Sequence, residues 1–236
     1  MARIIPDNQL FIVTSALNSN IGVISREDRL KQTIEGLQSL REKCPDAIIL
    51  LTEGSPNKVE DDKIKTLEAL VDLIADFSGD TDVSQFASVG KKSEAENVLM
   101  LKTILLLKQE PTMQKLMHSV NRIFKVSART NLDDGFDTRD HEHWGKYVFK
   151  KRMPTWIEGE RQEVFTDLFI TRLFSFCPSL LDDYFIACKR NITVIMQAGV
   201  DTEHAHFFNV DQEKLIELDT IHCRGIMAST GTLEIY

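Results

Sequence analysis

Along the first half of the chain, short apolar runs that mark strands alternate with helical stripes in which apolar residues recur every three or four positions. Leu10-Phe11-Ile12-Val13-Thr14 reads as the first strand, left by the polar loop Ser15 to Asn20. Ser25 with Asp28 three residues on predicts a capped helix start. Leu30, Ile34 and Leu37 then repeat along one face of that helix, with Arg29, Lys31, Glu35 and Arg41 elsewhere, and Cys44-Pro45-Asp46 stops it. Ala47 to Thr52 is a continuous apolar run, the mark of a parallel strand covered on both faces. Glu53-Gly54-Ser55-Pro56 turns the chain after it, which completes a β-α-β unit with a right-handed crossover.

Ile64, Leu67, Val71, Ile74 and Phe77 predict a second amphipathic helix, and Val83 to Val89 is a segment with room for a short strand. Ser93 and Glu96 have capping-box spacing ahead of a core-packed helix from Asn97 to about Gln109, and Pro111 opens a further helical segment. Ile123-Phe124-Lys125-Val126 reads as a mid-sheet strand. Its carboxyl edge turns polar at Ser127, Arg129, Asn131, Asp133 and Asp134, where open α/β sheets bind ligands. Past Asp137, Lys146 to Lys151 alternates like an edge strand, and Thr166 to Phe176 reads as one strand interrupted by Arg172. Pro178 opens a helix that ends near Gly199. Leu215-Ile216 falls in another element, and Thr230-Gly231-Thr232 in a hairpin-like turn.

Composition narrows the function classes. The chain has 236 residues, 42% apolar and 27% charged, enough for one α/β domain with a sizeable core. A net charge of -8 with no basic stripe disfavours tracking a nucleic-acid backbone, but leaves open a small anionic ligand held by a few local cations. The four cysteines have neither close pairing nor metal spacing and suit a reducing compartment. No apolar run approaches the roughly 20 residues that span a bilayer. A cytoplasmic protein is expected, and a homo-oligomer is not excluded.

Phe11-Ile12-Val13-Thr14-Ser15-Ala16, the Arg26-to-Cys44 helix with Cys44-Pro45-Asp46-Ala47, Lys92-Ser93 with Glu96, Phe124 to Arg129, and Glu203-His204 follow one another in a definite order. In that order and spacing the chain resembles the GT-A class of nucleotide-sugar glycosyltransferases, in a bacterial and viral branch. The resemblance implies a Rossmann-like α/β fold, with a mostly parallel central sheet flanked by helices. It implies one such domain over residues 1–236, with a nucleotide-binding half at 1–137 and an acceptor-shaping half at 138–236. It further implies a nucleotide-sugar donor and a glycan or other hydroxyl acceptor. In GT-A enzymes an Asp-x-Asp at the end of the central strand often holds Mn²⁺ or Mg²⁺. Here Ser127-Ala128-Arg129 takes that place, and the nearest acidic pair, Asp133-Asp134, comes a few residues late. Metal binding at Asp133 or Asp134 and metal-independent transfer are both left open.

A diphosphate leaving group needs its growing charge neutralised by a cation, Arg or Lys. Arg129 and Lys92 are the candidates for that task. With Ser15, Asn18, Glu53 and Ser55 at the first two strand ends, Lys92 and Ser93 would line the donor. Each has a plain alternative: turn chemistry for Glu53 and Ser55, a cap for Ser93. Glu203 is the candidate base for the acceptor hydroxyl, assigned from the resemblance, with His204 and His206 beside it; an exposed acid at a helix start is the competing reading. Arg172 is a candidate acceptor or phosphate ligand, or an edge residue facing water. His141/His143 and His204/His206 invite a metal reading only if the two pairs meet. Two other functions compete with sugar transfer: a binding or assembly protein that keeps the fold without the chemistry, and a sugar nucleotidyltransferase.

Overall fold

The computed structural model describes residues 8–157, 164–227 and 230–236. Strand β1 (Asn8–Ser15) leads to helix α1 (Arg26–Lys43), whose start is fixed as the sequence predicts. The Ser25 hydroxyl accepts the Asp28 N–H at 3.1 Å. Strand β2 (Ile48–Glu53) lies parallel to β1 in register from Leu10–Ile48 to Ser15–Glu53. Helix α2 (Asp61–Glu68) is shorter than its apolar stripe suggests. The stripe's second half is strand β3 (Leu73–Asp76), parallel to β2. Asp72 explains the break, because its carboxylate accepts the Ile49 N–H at 2.8 Å and pairs with Arg41, which turns the chain onto the sheet edge.

Val83 to Val89 holds no strand. Asp80 caps a helix there, accepting from Asp82 and Val83 N–H, and α3 spans Thr81–Ala87. Helix α4 (Lys92–Gln109) begins earlier than the capping-box reading places it. Ser93 is already helical and its hydroxyl accepts the Thr202 N–H at 3.2 Å, while Glu96 pairs with Lys125, so neither caps the helix. Pro111 does open α5 (Pro111–Met117), where the Glu110 carboxylate accepts from Thr112 and Met113 N–H. Then come β4 (Val120–Ser127) and the short β5 (Thr130–Leu132).

The second half contributes β6 (Tyr147–Lys150), the hairpin β7 (Met153–Ile157) with β8 (Val164–Leu168), and β9 (Leu173–Phe176). After these come α6 (Leu181–Ala198), α7 (Thr202–Asn209), β10 (Leu215–Leu218), and the C-terminal pair β11 (Cys223–Ile226) and β12 (Leu233–Ile235). Two readings change here. Thr166 to Phe176 is not one strand: it breaks between β8 and β9, and in the intervening Phe169 to Arg172 the Arg172 carbonyl accepts the Ser127 N–H at 2.8 Å. Nor is β6 an edge strand. It lies between β9 and β10 with Tyr147, Val148 and Phe149 buried.

The central sheet runs β10-β6-β9-β4-β1-β2-β3. β1 to β4 are parallel, and β9 runs antiparallel between β4 and β6. β4 is therefore the middle strand of seven. The alternation of side chains across each strand supplies two cores. Leu10, Ile12, Leu50 and Ile123 pack under Met100, Ile104, Tyr184 and Cys188 of α4 and α6. Phe11, Val13, Ile49 and Phe124 pack on the other face with Leu37 and Leu40 of α1, where the Phe11 and Phe124 rings stack at 4.4 Å. No helix among the described residues is long and apolar enough to cross a membrane.

Candidate functional site

The carboxyl ends of β1 and β4 open into a cavity of about 540 Å³. Its floor is Thr14, Ser15 and Ser127 to Arg129. One wall is Arg29 and Thr33 of α1, and another is the first turn of α4, with Lys92, Ser93 and Glu96. Ile170 to Arg172 and the start of α7, from Asp201 to Glu203, close another side, with Glu234 of β12 and Tyr236 just after it beside Arg172. Of the residues singled out in the sequence, Ser15, Lys92, Ser93, Arg129, Arg172 and Glu203 come together here.

Others do not line it. Asn18, Glu53 and Ser55 are buried beside the cavity and are engaged with one another. The Glu53 carboxylate accepts from Leu17 N–H (3.2 Å) and Ser55 N–H (2.8 Å), and the Ser55 hydroxyl accepts from Asn18 N–H (2.7 Å). These contacts clasp the loop after β1 to the loop after β2. Burial pushes the Glu53 carboxyl up, against the hydrogen bonds it accepts. Asp133 accepts the Gly135 N–H at 2.9 Å and faces His222 at 3.2 Å, and Asp134 pairs with Lys43, so both stand away from the cavity. His204 turns to Asp201 at 2.6 Å, and His206 is buried against Tyr184, Asn191 and Thr202. His141, by contrast, bonds the Ser175 hydroxyl and packs on the Phe124 ring, so the two histidine pairs do not meet.

Glu203 is held by a short relay from the middle of the sheet. Lys125, 1% exposed, ion-pairs with Glu96 and donates to the Thr171 carbonyl at 3.0 Å and to the Ser127 hydroxyl at 3.2 Å. The Thr171 hydroxyl in turn donates to Glu203 Oε1 at 2.8 Å. Burial raises the Glu203 carboxyl above the ordinary carboxylate range. Asp201 and Glu96 push the same way, while Lys92 and Thr171 oppose. Glu96 differs: burial would raise it, but Lys125 and Lys92 hold it down at about 2. Lys125 and Arg29 are the site residues that apolar periodicity passes over. A lysine between Phe124 and Val126 of a central strand is the signal for the first.

The cations are concentrated at one end. Burial pushes the Arg129 guanidinium down to about 10, and its neighbours Arg29 and Arg172 add to the shift. Arg29 is 5% exposed and donates to the carbonyls of Ile21 and Ile24. Arg172 has Glu234 at 3.4 Å, and among the described residues its buried Nε has no partner. Asp133 and Asp134, the acidic pair expected to hold a divalent cation, are not among the residues that line the cavity. Arg129 occupies the end of the central strand, and among the described residues no three His, Cys, Asp or Glu side chains form a metal-holding group.

Over 91% of its length the chain superposes on 69% of the mannosyltransferase Ktr4p from S. cerevisiae, with a TM-score of 0.53 and 8% identity. It also matches core-mannan synthase A from Aspergillus fumigatus in its Mn/GDP form, over 93% of this chain and 75% of that one, with a TM-score of 0.50 and 7% identity. The fold is the GT-A fold. At these identities the likeness reaches no further than the backbone. No family model matches the sequence, and no curated protein matches it. Within the GT-A frame the cavity lies at the carboxyl edge of the parallel strands, where open α/β sheets take their ligands.

Proposed function

We propose that the protein transfers a sugar from a nucleotide-sugar donor to a hydroxyl acceptor. The observation that carries this reading is the convergence in one cavity of two cations, Arg129 and Lys92, with a desolvated carboxylate, Glu203. The donor's diphosphate lies toward Arg129 and Lys92, and the sugar points to Glu203. Glu203 takes the proton of the acceptor hydroxyl as its oxygen bonds the anomeric carbon. The bond from that carbon to the diphosphate oxygen breaks, and the leaving diphosphate gains a negative charge that the cations stabilise. Ser15 and Ser93 add hydroxyls along the donor wall. Asn18, Glu53 and Ser55 support the donor indirectly, by fixing the two loops that border it.

A carboxylate whose ionisation is shifted upward by burial is a better base than an exposed one, provided the pH keeps it deprotonated. Transfer should therefore fall as pH drops through the raised value of Glu203. Thermal unfolding with a panel of nucleotide sugars tests the donor. One donor should raise the midpoint selectively, because a ligand that binds only the folded state stabilises it; no shift with any donor would overturn the reading. With that donor in hand, Glu203→Gln should lower turnover by roughly 10²–10⁴ while leaving the donor-induced shift in place. Unchanged turnover would remove Glu203 as the base.

A further inference from the structure

The cavity's arginines go beyond what a single phosphate contact requires. Arg29 comes from α1, Arg129 from the end of β4 and Arg172 from the β8–β9 connection, and all three line the same end of the cavity. They are close enough that Arg29 and Arg172 both lower the ionisation of Arg129. Gly225 of β11 marks the crowding: a methyl group there would sit 2.5 Å from Arg172 Nη1 and 2.7 Å from the Arg129 carbonyl oxygen. Among the described residues the three guanidiniums share one ion-pair partner, Glu234 at 3.4 Å from Arg172; Glu53 and Glu96 act on Arg29 and Arg129 through space, without offsetting their burial. Within that described set, Arg29 and Arg129 donate only to backbone carbonyls. The other acids at the cavity are engaged elsewhere: Glu96 with Lys125, Asp201 with His204 and Glu203 with Thr171.

Buried cations whose counter-charges do not offset their desolvation are costly, and the cost is relieved when an anion with several acceptor oxygens enters. Guanidinium forks match phosphate oxygens in pairs, and the buried Arg172 Nε–H has no acceptor among the described residues. Resting on the transfer reading above, we infer that Arg29, Arg129 and Arg172 together neutralise the diphosphate of a nucleoside diphosphate, and that this protein binds it without a divalent cation. The three arginines take over the work for which Asp-x-Asp enzymes recruit a metal. Glu234 holds Arg172 in place while the site is empty and yields to the incoming phosphate.

Titration calorimetry of the full chain against uridine, guanosine, cytidine and adenosine diphosphates, once with EDTA and once with Mn²⁺, tests this directly. One of the four should bind with the same Kd, within about 3-fold, in both buffers. Arg129→Gln and Arg172→Gln should each weaken that binding by ~10-fold or more, the scale of a lost charge-assisted hydrogen bond. Circular dichroism checks that the variants fold, and the wild-type comparison of the two buffers stands whether or not they do. Binding seen only with Mn²⁺ would overturn the inference and leave the transfer reading standing. Binding equal in both buffers but unaffected by either folded variant would also overturn it. No binding of any of the four in either buffer would remove both.

Discussion

At the scale of single residues, the buried Lys125–Glu96 pair is the most exacting feature of the site. Lys125 is 1% exposed and its three ammonium protons are all used, by Glu96, Thr171 and Ser127. Removing one partner of such a pair strands the other's charge, here eased by Lys92 beside the part-buried Glu96, so Lys125→Met should destabilise the protein by about 3 kcal/mol, the low end for a broken buried pair. Pairing it with Glu96→Leu should recover much of the loss, and urea unfolding of the two single variants and the double variant measures the coupling. Equal and additive losses would mean that the pair is not a unit. At this scale part of the site is legible in sequence. Arg129 stands at the polar edge of a predicted strand, while Glu203, expected from the resemblance to follow Gly199, sits in the first turn of α7, the place its competing reading gave it. Arg29 was harder to read, because the stripe on α1 was drawn through Leu30, Ile34 and Leu37. The buried face is Arg29, Thr33, Gly36, Leu37 and Leu40, with the same spacing but polar at the end that meets the cavity. Glu53 shows the reverse. An acid at a strand end has the same residue type whether it meets a ribose or, as here, the backbone N–H groups of Leu17 and Ser55.

At the scale of elements, the approach of α1 to the end of β4 brings Arg29 near Arg129, and Gly36 permits that approach. A methyl group at Gly36 would lie 2.3 Å from the Ala128 carbonyl oxygen and 2.9 Å from that of Thr130. Both are backbone atoms that cannot swing aside. In an exposed helix Gly→Ala gains about 1 kcal/mol. Here the overlap should win, with Gly36→Ala costing about 1–3 kcal/mol net and loosening the diphosphate site as α1 backs away. Urea unfolding reads the first effect and diphosphate titration the second; a stabilised variant would show that α1 is less tightly seated than the distances state. Elements whose pattern and pairing agree, β1, β2, β4, α1 and α5, were readable in advance. The failures share one cause. Val71, Ile74 and Phe77 fit a helical stripe as well as a strand, and the free edge of β2 decides between them. β6 alternates like an edge strand, yet β10, paired with it from Leu215 opposite Tyr147, covers it. Periodicity carries no information about a partner that distant.

At the scale of the whole molecule, acid should unfold this protein from the histidine range downward. His206 lies inside the joint of α4, α6 and α7, bonded to the Thr202 carbonyl at 2.7 Å. Burial holds its ionisation at about 4, with Lys125 adding to the drop while Thr202 and Glu96 oppose it. His141, under Phe124, is held at about 3, by burial first and then by Arg122. Both values lie below the unfolded histidine value near 6.5. The unfolded chain thus takes up these protons first, and stability is lost as pH falls from about 6.5 toward the folded values. Above 6.5 both rings are neutral in either state, and their contribution to the slope vanishes. At pH 5 each ring should account for about 2 kcal/mol of lost stability. Glu53 and Glu203 work in the opposite sense, because carboxyls raised by burial bind protons more readily in the folded protein. The histidine share is therefore read as a difference. Between pH 7.5 and pH 5, His206→Asn should lose about 2 kcal/mol of the wild-type drop in unfolding free energy. An identical drop in both proteins would mean that His206 is already protonated in the folded state, and the neutral polar joint that seats α7, and with it Glu203, would have to be redrawn.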